Sequence, residues 1–218
     1  MNSDRPLRAD AALNRDRILA AARPLFAARG LDVSIEDIAQ AAGVGATTVV
    51  RRFRDQNGLI AALFEDEFAT NAALAHTAIA AADGGEGLVE FLRTLFQKIA
   101  TDRGIAQVLL SDRYGSGEIP VYRREFSNLV RELIERARRE GYLRGGVEAS
   151  DIPVLLMMVG SVADFARATK PELWQRYSEL LIEAVVPSNE NDAWQGTALT
   201  PTQLAEAMQR WRPRQLRP

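Results

Sequence analysis

The residues best equipped for chemistry stand together in "GVGATTVVRRFR", positions 43–54: Thr47, Thr48, Arg51, Arg52 and Arg54. All are hydrogen-bond donors, and planar guanidinium forks match the oxygens of a phosphate. The chemistry they suit is anion recognition, above all of a nucleic-acid backbone. An arginine cluster is also commonly just the solvated face of a helix. Other chemistries have little to work with. The chain has 218 residues, no cysteine and one histidine, His76. Disulfide and thiolate chemistry are excluded, and a Ser-His-Asp or His-metal site could use only that residue. His76, on an alanine-rich stretch, reads as an exposed or core residue rather than a ligand contact. No glycine-rich phosphate loop occurs, and nothing pairs the acids convincingly. The expectation is a protein without enzymatic activity, metal or cofactor.

Charge adds direction. The net charge of −2 alone argues against a nucleic-acid binder. Residues 1–60, however, carry nine Arg against seven Asp or Glu, while the remainder carries eighteen basic and twenty-two acidic residues. A mildly basic head on an acidic body fits DNA contact through one end.

Those donors matter only if an element presents them. Thr47, Thr48, Val49 and Val50 are β-branched in succession, a pattern that usually reads as strand. A strand here would lack a partner, because nothing else in the chain reads as sheet. On a helix, Val49 and Phe53 fall four apart and face inward with Ile38 and Leu59, whereas Thr47, Val50, Arg51 and Arg54 face outward. Each β-branched residue costs only about half a kcal/mol relative to Ala in a helix, which burial of Val49 and Phe53 offsets. The preceding "VSIEDIAQAAG" is itself a helix, capped by Ser34 with Asp37 three residues on, burying Ile35, Ile38 and Ala39, and closed by Gly43. The pair is a helix-turn-helix.

Helix predominates elsewhere. "NRDRILAAARPLFAARG" offers Asn14 as a cap and places Ile18, Ala22, Leu25 and Phe26 on one face, with a kink expected at Pro24. A helix runs from Leu59 to about Ala82. "GLVEFLRTLFQKIA" has apolar residues at 88, 91, 92, 95, 96 and 99, and "GIAQVLLSD" is a shorter helix. Pro120 opens a helix with Tyr122, Phe126, Leu129, Val130, Leu133 and Ala137 aligned, ended by Gly141. Residues 151–168 form a nearly all-apolar helix capped by Ser150 or Asp151, and Leu173, Trp174, Tyr177, Leu181 and Ala184 line one side of the next. Residues 187–200 read as loop, followed by one last short helix in "TPTQLAEAMQRW". The fold class is all-α, with about nine to ten helices: a three-helix head over 1–62, its first thirteen residues flexible, and a larger helical bundle over 63–218. Arg5 and Arg8 in the flexible stretch could reach a minor groove as an arm, though tails often carry such residues without purpose. The longest apolar run, 152–163, is too short to span a bilayer, and no N-terminal stretch pairs a basic with an apolar region. A soluble cytoplasmic protein is expected.

Residues 15–64, with "ILAAARPLFAARG", "DIAQAAGVG" and "TVVRRF", closely resemble the DNA-binding domain of the TetR family of transcriptional regulators. The resemblance implies a homodimer binding double-stranded DNA, each subunit reading half of a near-palindromic operator, and a C-terminal helical domain whose small-molecule effector releases the DNA. The sign of regulation expected is repression. On this resemblance the DNA-facing set is Ala46, Thr47, Thr48, Val50, Arg51, Arg52 and Gln56. Three positions depart from the family pattern: Val50 replaces a tyrosine that meets the DNA backbone, Gln56 replaces a Lys or Arg with the same role, and Pro24 replaces a polar helix former. Val50 suits contact with a thymine methyl, or tucks against its neighbours.

By analogy an effector pocket falls among the helices of 86–165, lined by Phe91, Leu95, Leu110, Arg113, Tyr114, Phe126, Val130 and Met157. Each also reads as an ordinary core or surface residue. The mix of methionine and aromatics suits a moderately large apolar ligand. For the homodimer, the helices at 151–168 and 171–185 carry more apolar surface than a monomer requires, although burial within one subunit explains the same pattern. The competing reading is a helical small-molecule-binding protein whose DNA contacts have weakened, with Val50 and Gln56 as its best support.

Overall fold

The computed structural model describes residues 4–110, 119–187 and 200–203. Among them are nine helices of eight residues or more: α1 (Asp4–Arg29), α2 (Ile35–Ala42), α3 (Ala46–Phe53), α4 (Gln56–Ile79), α5 (Gly84–Thr101), α6 (Arg103–Leu110), α7 (Ile119–Arg139), α8 (Asp151–Ala166) and α9 (Leu173–Val185). A helical turn follows at 201–203, opened by a reciprocal cap in which Gln203 N–H donates to Thr200 Oγ1 and Thr200 N–H to Gln203 Oε1. No strand occurs among the described residues. The fold is all-α, with the helix-turn-helix at its N-terminal end.

In the head, Ile18, Ala22 and Phe26 of α1 are fully buried against Leu31, Val33, Ile38, Val49, Phe53, Leu59 and Ile60. The β-branched run is therefore helix. Its two inward residues, Val49 and Phe53, join a core that supplies what an eight-residue helix lacks on its own. In the body, the whole apolar face of α5 is buried: Leu88, Phe91, Leu92, Leu95, Phe96 and Ile99. Facing it are Leu133 and Ile134 of α7 and Leu155, Leu156 and Val159 of α8. α4 is long enough to belong to both parts, and packs on α7 as well as on α1 and α3.

Some expectations fail. α1 begins at Asp4, so Asn14 lies inside the helix rather than capping it, and residues 4–13 are helical. Pro6 falls in the first turn, where a missing N–H costs nothing, and Ala9, Ala11, Ala12 and Leu13 are strong helix formers. At Pro24, where a kink is expected, α1 runs on as one helix; Pro24 and Ala20, whose carbonyl loses its helical donor, are both exposed, so water can supply the bond. Ser150 makes no cap bond to α8; the Asp151 carboxylate instead accepts from Glu148 N–H at 2.8 Å. On α9 the buried residues are Ser178, Ile182 and Val185, while Tyr177 is exposed. The side lined by Leu173, Trp174, Tyr177, Leu181 and Ala184 is thus half-buried to exposed, and a neighbouring side of the helix meets the core.

Candidate nucleic-acid interface

Three local devices aim α3. Ser34 caps α2, accepting from Asp37 N–H at 3.1 Å. Gly43 then ends α2 in the left-handed region (φ 64, ψ 37), and Val44 N–H reaches back to Ala39 C=O at 3.0 Å, which closes the turn without a Cβ penalty. Arg17 of α1 donates to Ala42 C=O at 2.9 Å and fastens the same end. Beyond α3, Asp55 caps α4 by accepting from Gly58 N–H at 2.8 Å. A Cβ on Gly58 would stand 2.0 Å from Phe53 C=O, so only glycine lets α4 start this close to the end of α3.

With Val49 and Phe53 buried, the rest of α3 is turned out. Thr47, Val50, Arg51, Arg52 and Arg54 are exposed, and Ala46 and Thr48 are half-buried. α3 carries no acid, and among the described residues no ion pair occupies Arg51, Arg52 or Arg54. The N-cap is Gly45, with no side chain over the first-turn amides. The face offers guanidiniums without an ion pair among the described residues, an exposed hydroxyl at Thr47 and an aliphatic patch at Val50. Such groups are chemically suited to phosphate oxygens and to base edges.

Gln56 behaves differently from the expectation. Its Nε2 donates inward to Leu31 C=O and, at 3.0 Å, to Val33 C=O. The amide that was to replace a cationic backbone contact is spent on the α1–α2 loop, and Gln56 leaves the set of side-chain donors available to DNA. No sequence pattern marked this, because its partners lie 25 and 23 residues away.

Of the expected effector residues, Phe91, Leu95, Leu110 and Val130 are buried in the core, while Phe126 and Met157 are half-buried against it. Phe91 and Phe126 meet with ring centroids 6.1 Å apart. Arg113 and Tyr114 lie outside the described residues. An open groove of about 480 Å³ runs between α1 and α4, lined by Arg15, Leu19, Ala20, Arg23, Ala62, Leu63 and Glu65, and it includes none of the expected set. A polar network also escaped the sequence reading. Arg23 of α1 pairs with Glu67 (2.8 Å) and Asp102 (3.2 Å), and Lys98 joins Glu67 (3.2 Å) to the buried Asn71 (2.8 Å). It adds a charged tie between head and body to the apolar core they share.

The fold and the outward face of α3 define a helix-turn-helix protein with an all-helical body. Residues 18–63 match the family described as bacterial regulatory proteins, tetR family, and residues 83–184 match transcriptional regulator SbtR-like, C-terminal domain. A TetR transcription regulatory protein from Mycobacterium vanbaalenii is 33% identical, over 83% of this chain and 99% of that chain, with a TM-score of 0.50. FadR from Bacillus subtilis, solved in complex with stearoyl-CoA, is 18% identical over 80% of this chain and 98% of its own (TM-score 0.58). RolR, solved with resorcinol, is 19% identical over 94% and 97% (TM-score 0.50). These last two show the fold alone. No match was found among curated proteins. The chain belongs to the TetR family, whose members are ligand-responsive DNA-binding regulators. No helix among the described residues is long and apolar enough to cross a membrane.

Proposed function

We propose that this chain is a cytoplasmic transcriptional repressor, without enzymatic activity, that binds a near-palindromic operator as a homodimer and lets go when a small apolar molecule enters its body. The observation that carries the reading is the outward face of α3, where Arg51, Arg52 and Arg54 stand exposed and, among the described residues, free of ion pairs while Val49 and Phe53 lock the helix from behind. Ala46, Thr47, Thr48 and Val50 complete the reading face. The division between head and body is placed near residue 62, inside α4, so that α4 is the lever they share. Dimerisation falls to α8 and α9, where Met158 (48%), Phe165 (81%), Tyr177 (43%) and Leu180 (54%) are exposed well beyond what a surface helix needs. Effector contacts are assigned to Phe91, Leu95, Leu110, Arg113, Tyr114, Phe126, Val130 and Met157, in keeping with relatives that hold stearoyl-CoA or resorcinol. Selection of bound duplexes from a random pool tests the reading. A near-palindrome is the expected result, and enrichment of nothing overturns it. The second reading, a ligand-binding protein with weakened DNA contacts, is favoured by the inward turn of Gln56 and the aliphatic Val50.

A further inference from the structure

The backbone of Leu31 is held from both sides by side chains of two different helices. Its N–H donates to Gln107 Oε1 of α6 at 2.5 Å, and its C=O accepts from Gln56 Nε2 at the first residue of α4. Gln56 reaches on to Val33 C=O, and the side chains of Leu31 and Val33 are buried at 0% and 2% exposure. Gly30 just before it has φ +78, and a Cβ there would come within 2.7 Å of Gln107 Oε1. The chain is thus shaped to admit Gln107. α6 is fastened to the same region a second time. Arg103, its first residue, donates to Ala28 C=O at 3.0 Å and pairs with Asp164 of α8 at 2.8 Å.

We infer that Gln107 is a positioning residue that couples the body to the DNA-reading helix through the α1–α2 loop. The inference rests on the regulator reading only for its consequence at DNA. A hydrogen bond holds its partners within a narrow range of distance and weakens steeply once the angle closes below about 120°. The Leu31 N–H is enclosed, and leaving it unpaired is costly. When α6 shifts, the loop therefore follows it. Gln56 carries that shift to the start of α4, one residue from the Asp55 cap and two from Arg54, where α3 ends. The relay uses only the acceptor oxygen of Gln107, which makes it separable from simple packing.

Hydrogen exchange on the full chain tests this with Gln107→Leu, which loses the acceptor, and Gln107→Glu, which keeps it. In Gln107→Leu, exchange speeds up by about fivefold or more both at 30–34 and at the α3–α4 junction, 54–59. Gln107→Glu stays at the wild-type rate in both. From the other end, Gln56→Leu loosens 103–108. Affinity for a duplex selected with the wild-type protein falls with Gln107→Leu, a residue of the body, and not with Gln107→Glu. Acceleration that stops at 30–34, or Glu and Leu variants that behave alike, overturns the relay. Should the wild-type protein enrich no duplex, the regulator reading fails by itself, and exchange at 54–59 alone decides the coupling.

Discussion

Arg54 closes α3 at φ 70, ψ −53, among the described residues the single non-glycine with positive φ. That backbone geometry is strained for a residue with a Cβ. Arg54→Gly is expected to raise stability by about 1 kcal/mol and to weaken DNA binding, two opposite effects read by thermal unfolding and gel shift. An unchanged affinity removes Arg54 from the interface. Gly58→Ala has the reverse character: its Cβ meets Phe53 C=O, so a loss of about 1–3 kcal/mol is expected from overpacking. Val50, exposed on the reading face, makes a subtler prediction. Replacing operator thymines by deoxyuridine lowers affinity at one position per half-site if Val50 contacts a methyl group, and unchanged affinity throughout removes that role. The exposure of the arginines and the burial of Val49 and Phe53 were legible in the sequence, because helical period alone decides them. Gln56 and Gln107 were not, since a side-chain amide gives no hint of a carbonyl or N–H distant along the chain.

At the scale of elements, α3 holds its shape by docking rather than by propensity. Phe53→Ala removes the larger anchor and is expected to cost about 3–5 kcal/mol, with loss of DNA binding and near-native helix content in the body. A melting curve with uniform loss of all helices speaks against this division. The far end of the body shows a second kind of knot. Arg136 of α7 donates to Ile79 C=O at the end of α4 and, at 2.7 Å, to Ala81 C=O just beyond it, and pairs with Glu140, which accepts from Gly84 N–H at the start of α5. Tyr142 donates to Asp83 at 2.6 Å. The Tyr142 hydroxyl holds the Asp83 carboxyl below its usual range, and Arg136 does the same for Glu140. Depressed folded-state values mean that stabilisation is present above the ordinary carboxylate range and is lost as pH falls below about 4. Tyr142→Phe should shrink that acid sensitivity. α5 could be read from the sequence because its whole apolar stripe is buried in a single protein. α9 could not: its apolar residues serve two surfaces, and periodicity does not say which one the subunit keeps. The start of α1 was missed for a local reason, a capping residue that tolerates an interior position.

For the whole molecule, the exposed apolar residues of α8 and α9 set the expected assembly. Phe165→Asp places a charge at the most exposed of them. Sedimentation at micromolar concentration should show a dimer for the wild type and a monomer for the variant, and operator affinity should fall with it. In the DNA-bound dimer the two α3 helices should stand about 34–36 Å apart, one turn of duplex. Assembly is also where a single sequence says least, because a face that meets a second copy and a face that meets its own core carry the same residues. The most direct test of the account is the affinity of Arg51→Ala and Arg52→Ala for a duplex selected with the wild-type protein. The prediction is weaker binding, with a shallower salt dependence by about one unit per lost phosphate contact and an unchanged melting temperature. Wild-type affinity and salt slope in both variants would contradict it.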